Sequence, residues 1–405
     1  MTITPHIGIV SIGYPPTPHV SGFRAHGFAT ALAAIGCDVT VITSSSDVTG
    51  LSLDMPIGIT DDSRAPAIIR APLDVSRQWP ACRTPLVLYR HFSSGHAHDW
   101  VRAARSIAAV QFPRGTVFWG IHGGASAHEL ARRLSSSSGG SWIADFKDDW
   151  LPQSTRRIMR AIDLRVERRR ILSAAACTAA STLQATDTER LLHVHTTPIY
   201  TGVDLAQWMQ TDPAHLGSTF NIVYTGHLSP SMDIRTMTDG FRLARESFRD
   251  DVRIHYFGTY GDQLEDALTK AGCHTLYIDH GWVSHAEAAR YQRAADLLLY
   301  LPLVRSPNVP VKYLEYLASQ RPLLSVQKER DARFRELQST TTGSEVAQSP
   351  RQFADLLMRT LEAWRVYGRA PDQPRNLAQF TWKAQAALLF DVIQRVRPPT
   401  SSIAI

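Results

Sequence analysis

A glutamate, Glu315, stands in a helical segment directly after a proline-interrupted loop. A carboxylate in that place can accept hydrogen bonds from both hydroxyls of a ribose, the alternative being a solvated glutamate on an ordinary helix. The segment Asn308 to Val311, which includes Val309 and Pro310, precedes the helix, so its backbone N–H groups and the positive end of the helix dipole can face a diphosphate. Lys312 at the helix start, or Arg305 in the loop, can add a cation, and a hydrogen bond to a charged group is worth roughly 1.5–3 kcal/mol. Arg305 reads equally well as a solvated loop residue.

A second set of candidates lies in the first half of the chain. His122 follows the strand-like run Val117 to Trp119, in the turn Ile121-His122-Gly123-Gly124-Ala125-Ser126. A histidine at a strand's carboxyl end in a glycine-rich turn is exposed to a cleft, whereas a lone histidine elsewhere is often a satisfied structural group. Asp145 and Asp148 lie at another strand end, where a carboxylate can orient a hydroxyl or cap the next helix. The loop from Gly13 to Gly22, with Arg24 just beyond it, has a backbone that can approach a ligand closely, unless Pro15 and Pro16 merely shape a turn. His91, His96, His98 and Asp99 lack the spacing of a metal site and read as a solvated loop. Arg156, Arg157, Arg160, Arg165 and Arg168 to Arg170 make a basic helix whose apolar residues form no clean stripe, so a solvated face is its default reading.

The elements that must position these groups alternate. Strand-like runs occur at Ile7 to Ile12, Val39 to Thr43, Ala67 to Ile69, Val117 to Trp119, Trp142 to Ala144 and Cys177 to Ala179, with helical patterns or loops between them. The stretch from Ala71 to Gly115 offers one helix, Trp100 to Val110, and is otherwise unplaced. After Asp204 the pattern restarts with Ile222 to Thr225, Val252 to Phe257, Leu276 to Ile278, Leu297 to Leu301 and Leu323 to Val326, and an amphipathic helix, Thr381 to Val396, follows. Strands alternating with helices imply parallel sheets covered on both faces, which bind ligands at the carboxyl ends of their strands.

Bulk properties agree with two α/β domains: 405 residues, 44% of them hydrophobic, exceed what one core usually serves. The formal charge of +6 is spread along the chain, without aromatic residues interleaved among the basic ones, which favours anionic substrates or membrane surfaces over nucleic acid. Cys37, Cys82, Cys177 and Cys273 form no C-x-x-C pair, so neither zinc nor a disulfide framework is expected and a reducing cytoplasm fits. No signal-peptide pattern and no membrane-spanning run is present.

Six segments occur together: Tyr14-Pro15-Pro16 with Gly22 and Arg24; Trp142-Ile143-Ala144-Asp145-Phe146-Lys147-Asp148-Asp149-Trp150; Thr201-Gly202-Val203-Asp204; Tyr224-Thr225-Gly226-His227-Leu228; Gly281-Trp282-Val283-Ser284-His285 with Ala294-Ala295-Asp296; and Val311-Lys312-Tyr313-Leu314-Glu315-Tyr316-Leu317-Ala318. In this order the chain resembles the family 4 retaining glycosyltransferases. The resemblance implies an α/β fold of GT-B type, two Rossmann-like domains facing each other across a cleft, with a C-terminal helix crossing back to the first. On this chain those would be 1–205 on the acceptor side, 206–380 for the nucleotide-sugar, and 381–405 for the returning helix. It also implies a nucleotide-diphosphate sugar as donor, an unidentified acceptor (a glycan, a lipid-linked molecule or a small natural product), no metal or other cofactor, and a cytoplasmic protein with peripheral membrane contact left open.

By the same resemblance Glu315 binds the ribose, Gly226 and its successors approach the diphosphate, the loop with Gly22 and Arg24 lies by the acceptor and leaving group, and Asp148 with His122 serves the reaction. The chain departs from the pattern at Asp149, which stands where a Pro is usual, and in three places around the nucleotide site. Pro307 stands where a further Glu is usual, His227 where an Arg is usual, and Met232 where a Lys is usual, with Arg235 near enough in sequence to compensate. A nucleotide-sugar epimerase of the same fold and a non-catalytic partner of a transferase are the competing expectations.

Overall fold

The computed structural model describes residues 4–15, 20–45, 65–73, 98–108, 111–122, 125–147, 157–229, 232–302, 310–327 and 344–398. The chain divides into two compact units, Met1–Gly202 with Trp382–Ile405, and Val203–Thr381.

The first unit holds a seven-stranded parallel sheet in the order β3-β2-β1-β4-β5-β6-β7. Its strands are β1 (His6–Val10), β2 (Asp38–Ser44), β3 (Ala67–Ala71), β4 (Val117–Ile121), β5 (Ser141–Phe146), β6 (Ala176–Ala179) and β7 (Thr196–Pro198). The central strands are buried along nearly their whole length, as a sheet covered on both faces requires; β4, reading VFWGI, has no exposed residue. The helices are α1 (Val20–Ala34), α2 (His98–Ala108), α3 (Ala125–Ser138), α4 (Arg157–Ile171) and α5 (Thr182–Leu192), and the C-terminal helix, which we number α12 (Trp382–Val396), joins them. Its Ala386, Leu389, Val392 and Ile393 share one core with Phe28, Leu32, Val39 and Val41, and Trp382 lies edge-on to Phe28 with ring centroids 5.4 Å apart. The C-terminal helix is therefore part of the first unit, as the resemblance in sequence implied.

The second unit holds six parallel strands in the order β10-β9-β8-β11-β12-β13. They are β8 (Phe220–Thr225), β9 (Val252–Phe257), β10 (Tyr277–Asp279), β11 (Leu297–Tyr300), β12 (Leu323–Val326) and β13 (Ser344–Ala347). Its helices are α6 (Leu205–Gln210), α7 (Ile234–Ala244), α8 (Asp262–Lys270), α9 (His285–Ala294), α10 (Val311–Ala318) and α11 (Pro350–Tyr367). One core runs through it, in which Phe241 of α7 meets Phe353 of α11 at 5.0 Å.

Both sheets grow outward from their first strand in one direction and then resume on its other side, at β1/β4 in the first unit and β8/β11 in the second. Loops leaving the two strands at such a reversal part to opposite faces and open a crevice at the carboxyl edge.

Candidate functional site

At the second unit's reversal, β8 ends at Thr225, whose N–H donates to the Tyr316 hydroxyl at 2.8 Å and whose Oγ1 accepts from Gln292 Nε2 at 2.9 Å. These bonds tie β8 to α10 and α9. The chain then turns through Gly226 at φ 103°, a conformation that disfavours any residue with a Cβ. A Cβ there would also collide with Lys312 Nζ, so the amine of α10 sits directly against the turn after β8. Lys312 Nζ lies 4.6 Å from the centroid of the Tyr224 ring, a cation–π contact. Burial pushes its pKa down to about 8, with the Glu315 charge acting in the opposite sense.

Glu315, one helical turn along α10, is 8% exposed and accepts a hydrogen bond from His285 Nε2 at 2.7 Å. His285 opens α9, whose start is fixed by a capping box: Ser284 Oγ accepts from Glu287 N–H and the Glu287 carboxylate accepts from Ser284 N–H. The negative charge of Glu315 holds His285 above its ordinary pKa, against the opposing pull of burial. The N-cap of α10 is Pro310, which supplies no side-chain acceptor to the first turn that begins with Val311 and Lys312. The geometry thus unites Gly226, Pro310, Val311, Lys312 and Glu315 and adds His285, which the sequence argument left without a role. Its signal, a histidine following a serine cap, marks a helix start and nothing more.

His227 is exposed, with Nδ1 3.0 Å from Thr259 Oγ1 and its ring edge-on to Tyr260 at 4.7 Å. Tyr260 is 60% exposed and held at φ 69°. Met232 packs against the core and its Sδ lies 3.6 Å from the Tyr224 hydroxyl. Arg235 is a correction. Its side chain is 91% exposed, pairs with Asp239 at 3.5 Å, and lines a groove between α7 and α8 with Arg242, Gln263, Asp266 and Lys270, apart from Lys312 and Glu315. Val309, Arg305, Pro307 and Asn308 lie outside the described residues.

At the first unit's reversal, His122 follows β4 but, contrary to the expectation of a side chain exposed to a cleft, is buried at 9% exposure. Its N–H donates to the Asp145 carbonyl at 2.9 Å, and its ring lies against His128 and Phe146. Asp145 does not face a ligand. Its carboxylate accepts from Arg24 Nε at 2.9 Å, Arg24 Nη2 at 2.8 Å and Thr178 Oγ1 at 2.7 Å, and is fully buried. Arg24, 1% exposed, also lies over the Phe28 and Trp119 rings and donates to Thr201 Oγ1 at 3.3 Å. The guanidinium expected beside a ligand is thus committed to an internal ion pair. Gly22 has a similar part: a Cβ there would crowd the backbone of Gly13 and Tyr14, so α1 lies directly on the loop. Asp148, Asp149, Trp150 and Pro16 lie outside the described residues.

Behind His122 runs a buried ionic chain. His128 Nδ1 is 2.8 Å from Glu167 Oε1 and His128 Nε2 is 3.1 Å from the Asp145 carbonyl, while Arg170 bonds Glu167 and approaches Glu129 at 3.5 Å. Burial pushes the Glu167 carboxyl up, but Arg170, His128 and His122 together outweigh it and hold it down to about 2. The basic helix is therefore not one solvated face: Arg170 is internal and Arg168 donates to the Leu191 carbonyl at 2.7 Å. Among the described residues no group of acidic, His or Cys side chains could hold a metal ion, and no helix is long and apolar enough to cross a membrane. Of the histidine-rich segment read as a loop, His91 and His96 lie outside the described residues, whereas His98 and Asp99 open α2, with Asp99 3.8 Å from Arg102.

Two Rossmann-like domains in series, each with its reversal of strand order, define the GT-B class of fold. No protein-family model matches the sequence and no curated protein matches it. Solved structures do. The Anabaena protein HepE in complex with UDP and glucose is similar at a TM-score of 0.66 and 11% identity, over 96% of this chain and 99% of that one. Sucrose-phosphate synthase from Thermosynechococcus elongatus is similar at 0.64 and 16% identity, over 96% and 98%. An α,α-trehalose-phosphate synthase (UDP-forming) from Burkholderia vietnamiensis is similar at 0.64 and 15% identity, over 97% and 98%. At these identities the likeness is one of fold, and it is the fold that the sequence motifs implied.

Proposed function

We propose that this chain is a retaining glycosyltransferase that moves a sugar from a nucleotide-diphosphate sugar to an acceptor hydroxyl without a catalytic metal. One observation carries the reading: Lys312, Glu315 and Gly226 converge at the strand-order reversal of the second unit, beside the uncapped N-terminus of α10. Glu315 takes the ribose hydroxyls, while Lys312 and the first N–H groups of α10 take the diphosphate. With an Arg replaced by His227 and a Lys by Met232, Lys312 is the principal cation of this site among the described residues, and His227 adds a hydrogen bond at its rim. Arg235 has no place in it.

In the reaction the acceptor oxygen attacks the anomeric carbon on the face from which the diphosphate departs. The bond from that carbon to the diphosphate oxygen breaks, and the acceptor's proton passes to the departing oxygen. Lys312 and the α10 N–H groups stabilise the charge developing there, a contribution of about a hundredfold or more per donor. In the first unit His122, with Asp148, serves the acceptor side. The buried free thiols of Cys37, Cys177 and Cys273 suit a cytoplasmic protein.

The test is calorimetric titration of UDP, GDP, ADP and dTDP in the presence of a chelator, on the wild type and on Glu315→Ala. Micromolar binding of one nucleotide, weakened at least about tenfold in the variant, is expected. Binding of none would sink the reading and favour a non-catalytic partner. Formation of sugar epimers without acceptor would favour an epimerase.

A further inference from the structure

His285 is placed by three elements at once. The Ser284–Glu287 capping box sets the start of its helix. The ring of Trp208, itself 3% exposed, stands edge-on to it at 6.4 Å, and α6, which carries Trp208, is capped by Asp204 through a 3.0 Å bond to Gln207 N–H. Its third contact is Glu315. The pair is not sealed in the core: the side chains are 30% and 11% exposed, so it opens at the crevice that Gly226 and Lys312 border.

We propose that His285 is a positioning residue for the nucleotide ribose: its Nε2–H bond to Glu315 Oε1 fixes the plane of the carboxylate and leaves Oε2 to accept the ribose hydroxyls. A carboxylate offers about four lone-pair positions, so one bond to His285 leaves enough for a diol. Among the described residues no hydrogen bond reaches Oε2. An unanchored glutamate rotates about its last torsion over a broad range, and ordering it would weaken ribose binding. The inference rests on the nucleotide-sugar reading of this site.

Among the described residues the charged group beside the pair is Lys312, on α10 with Glu315, while α6 presents the uncharged Trp208 and the carboxylate of Glu287 is turned to Ser284. Because Glu315 holds His285 above its ordinary value of 6.5, the imidazolium form persists below that raised value and is lost as pH climbs through it. Ribose recognition should then weaken with rising pH. Lys312 also titrates, but a ribonucleotide and its 2′-deoxy counterpart carry the same diphosphate, so the ratio of their affinities isolates the ribose.

The experiment measures binding of UDP, GDP, 2′-deoxy-UDP and 2′-deoxy-GDP to the wild type, Glu315→Ala, His285→Leu and His285→Gln between pH 6 and 9. The wild type should favour a ribonucleotide about tenfold or more at low pH, and Glu315→Ala should abolish the preference. His285→Leu should remove most of it with little change in affinity for the 2′-deoxy form. His285→Gln, which restores an N–H donor without a titrating charge, should regain the preference and flatten its pH dependence. Full preference in His285→Leu alongside its loss in Glu315→Ala would overturn the positioning role and leave the donor site standing, as would a preference in His285→Gln that still falls with pH. No nucleotide binding, no preference in the wild type, or a preference untouched in Glu315→Ala would overturn the ribose assignment itself.

Discussion

The two units share the order of six strands, with β7 added in the first, yet they use the charges around the reversal differently. In the first, Arg24 and Asp145 neutralise each other at 1% and 0% exposure, and Glu167 is enclosed by Arg170 and His128. In the second, Lys312, Glu315 and His285 gather at the crevice, the His285 and Glu315 side chains 30% and 11% exposed. The same reversal of strand order can therefore be locked by internal ion pairs or left open for a ligand. Topology marks the place, and only the partners of each side chain decide which use is made of it.

The contrast is broken most severely in the first unit. Removing one member of a buried, hydrogen-bonded ion pair costs about 3–5 kcal/mol, because the other charge stays buried without compensation. Among the described residues Arg24→Met leaves the Asp145 carboxylate with only the Thr178 hydroxyl, so the variant's urea midpoint should fall steeply; a loss below about 1 kcal/mol would show that the pair is not an anchor. Lys312→Met should do the reverse. Apolar burial replaces a desolvated amine, stability should hold or rise, and nucleoside diphosphate affinity should fall by about tenfold or more, read by calorimetry.

The same lysine separates stability from binding by pH. Its folded pKa of about 8 lies below the ordinary 10.5, so between those values the unfolded chain binds the extra proton and the ligand-free protein gains stability as pH rises. Diphosphate affinity should move the other way, falling as the amine deprotonates above about 8. Parallel unfolding and binding series from pH 7 to 10 should diverge in the wild type, and the Lys312 contribution to both slopes should vanish in Lys312→Met. A smaller effect is expected from Gly226→Ala. The strained φ costs about 1 kcal/mol or somewhat more, and the new methyl displaces Nζ, so affinity should drop while the fold persists.

The legible parts of the molecule were those whose signal is local. Interior strands such as Val252–Phe257 and Leu323–Val326 are rich in apolar residues, with Arg253, His255 and Ser325 interspersed, and coincide with the expected segments. The strands missed, Thr196–Pro198 and Ser344–Ala347, are two of the four edge strands; reading TTP and SEVA, they carry no apolar run, whereas the edges at Ala67–Ala71 and Tyr277–Asp279 include one. Lys312 and Glu315 share one helical turn and could be read from spacing. The partners that define their surroundings could not: Glu315 and His285 are 30 positions apart, and Arg24 and Asp145 are 121 apart. A carboxylate at a strand end looks the same in sequence whether a ligand or a buried arginine waits for it.

Arg235 shows the same confusion at close range, and supplies the smallest expected effect. It is near Gly226 in the chain, but α7 buries Met237, Phe241 and Ala244 on one face, which turns Arg235, Asp239 and Arg242 together to the other. A helix face is chosen by the core, and sequence distance to a loop does not alter it. An exposed arginine whose ion pair is open to water contributes little, so Arg235→Ala should change stability by less than about 0.5 kcal/mol and leave nucleotide affinity unchanged. A tenfold loss of affinity would instead mean that the α7–α8 groove communicates with the crevice at Lys312, and the division between structural and ligand-facing charge would have to be redrawn to include it.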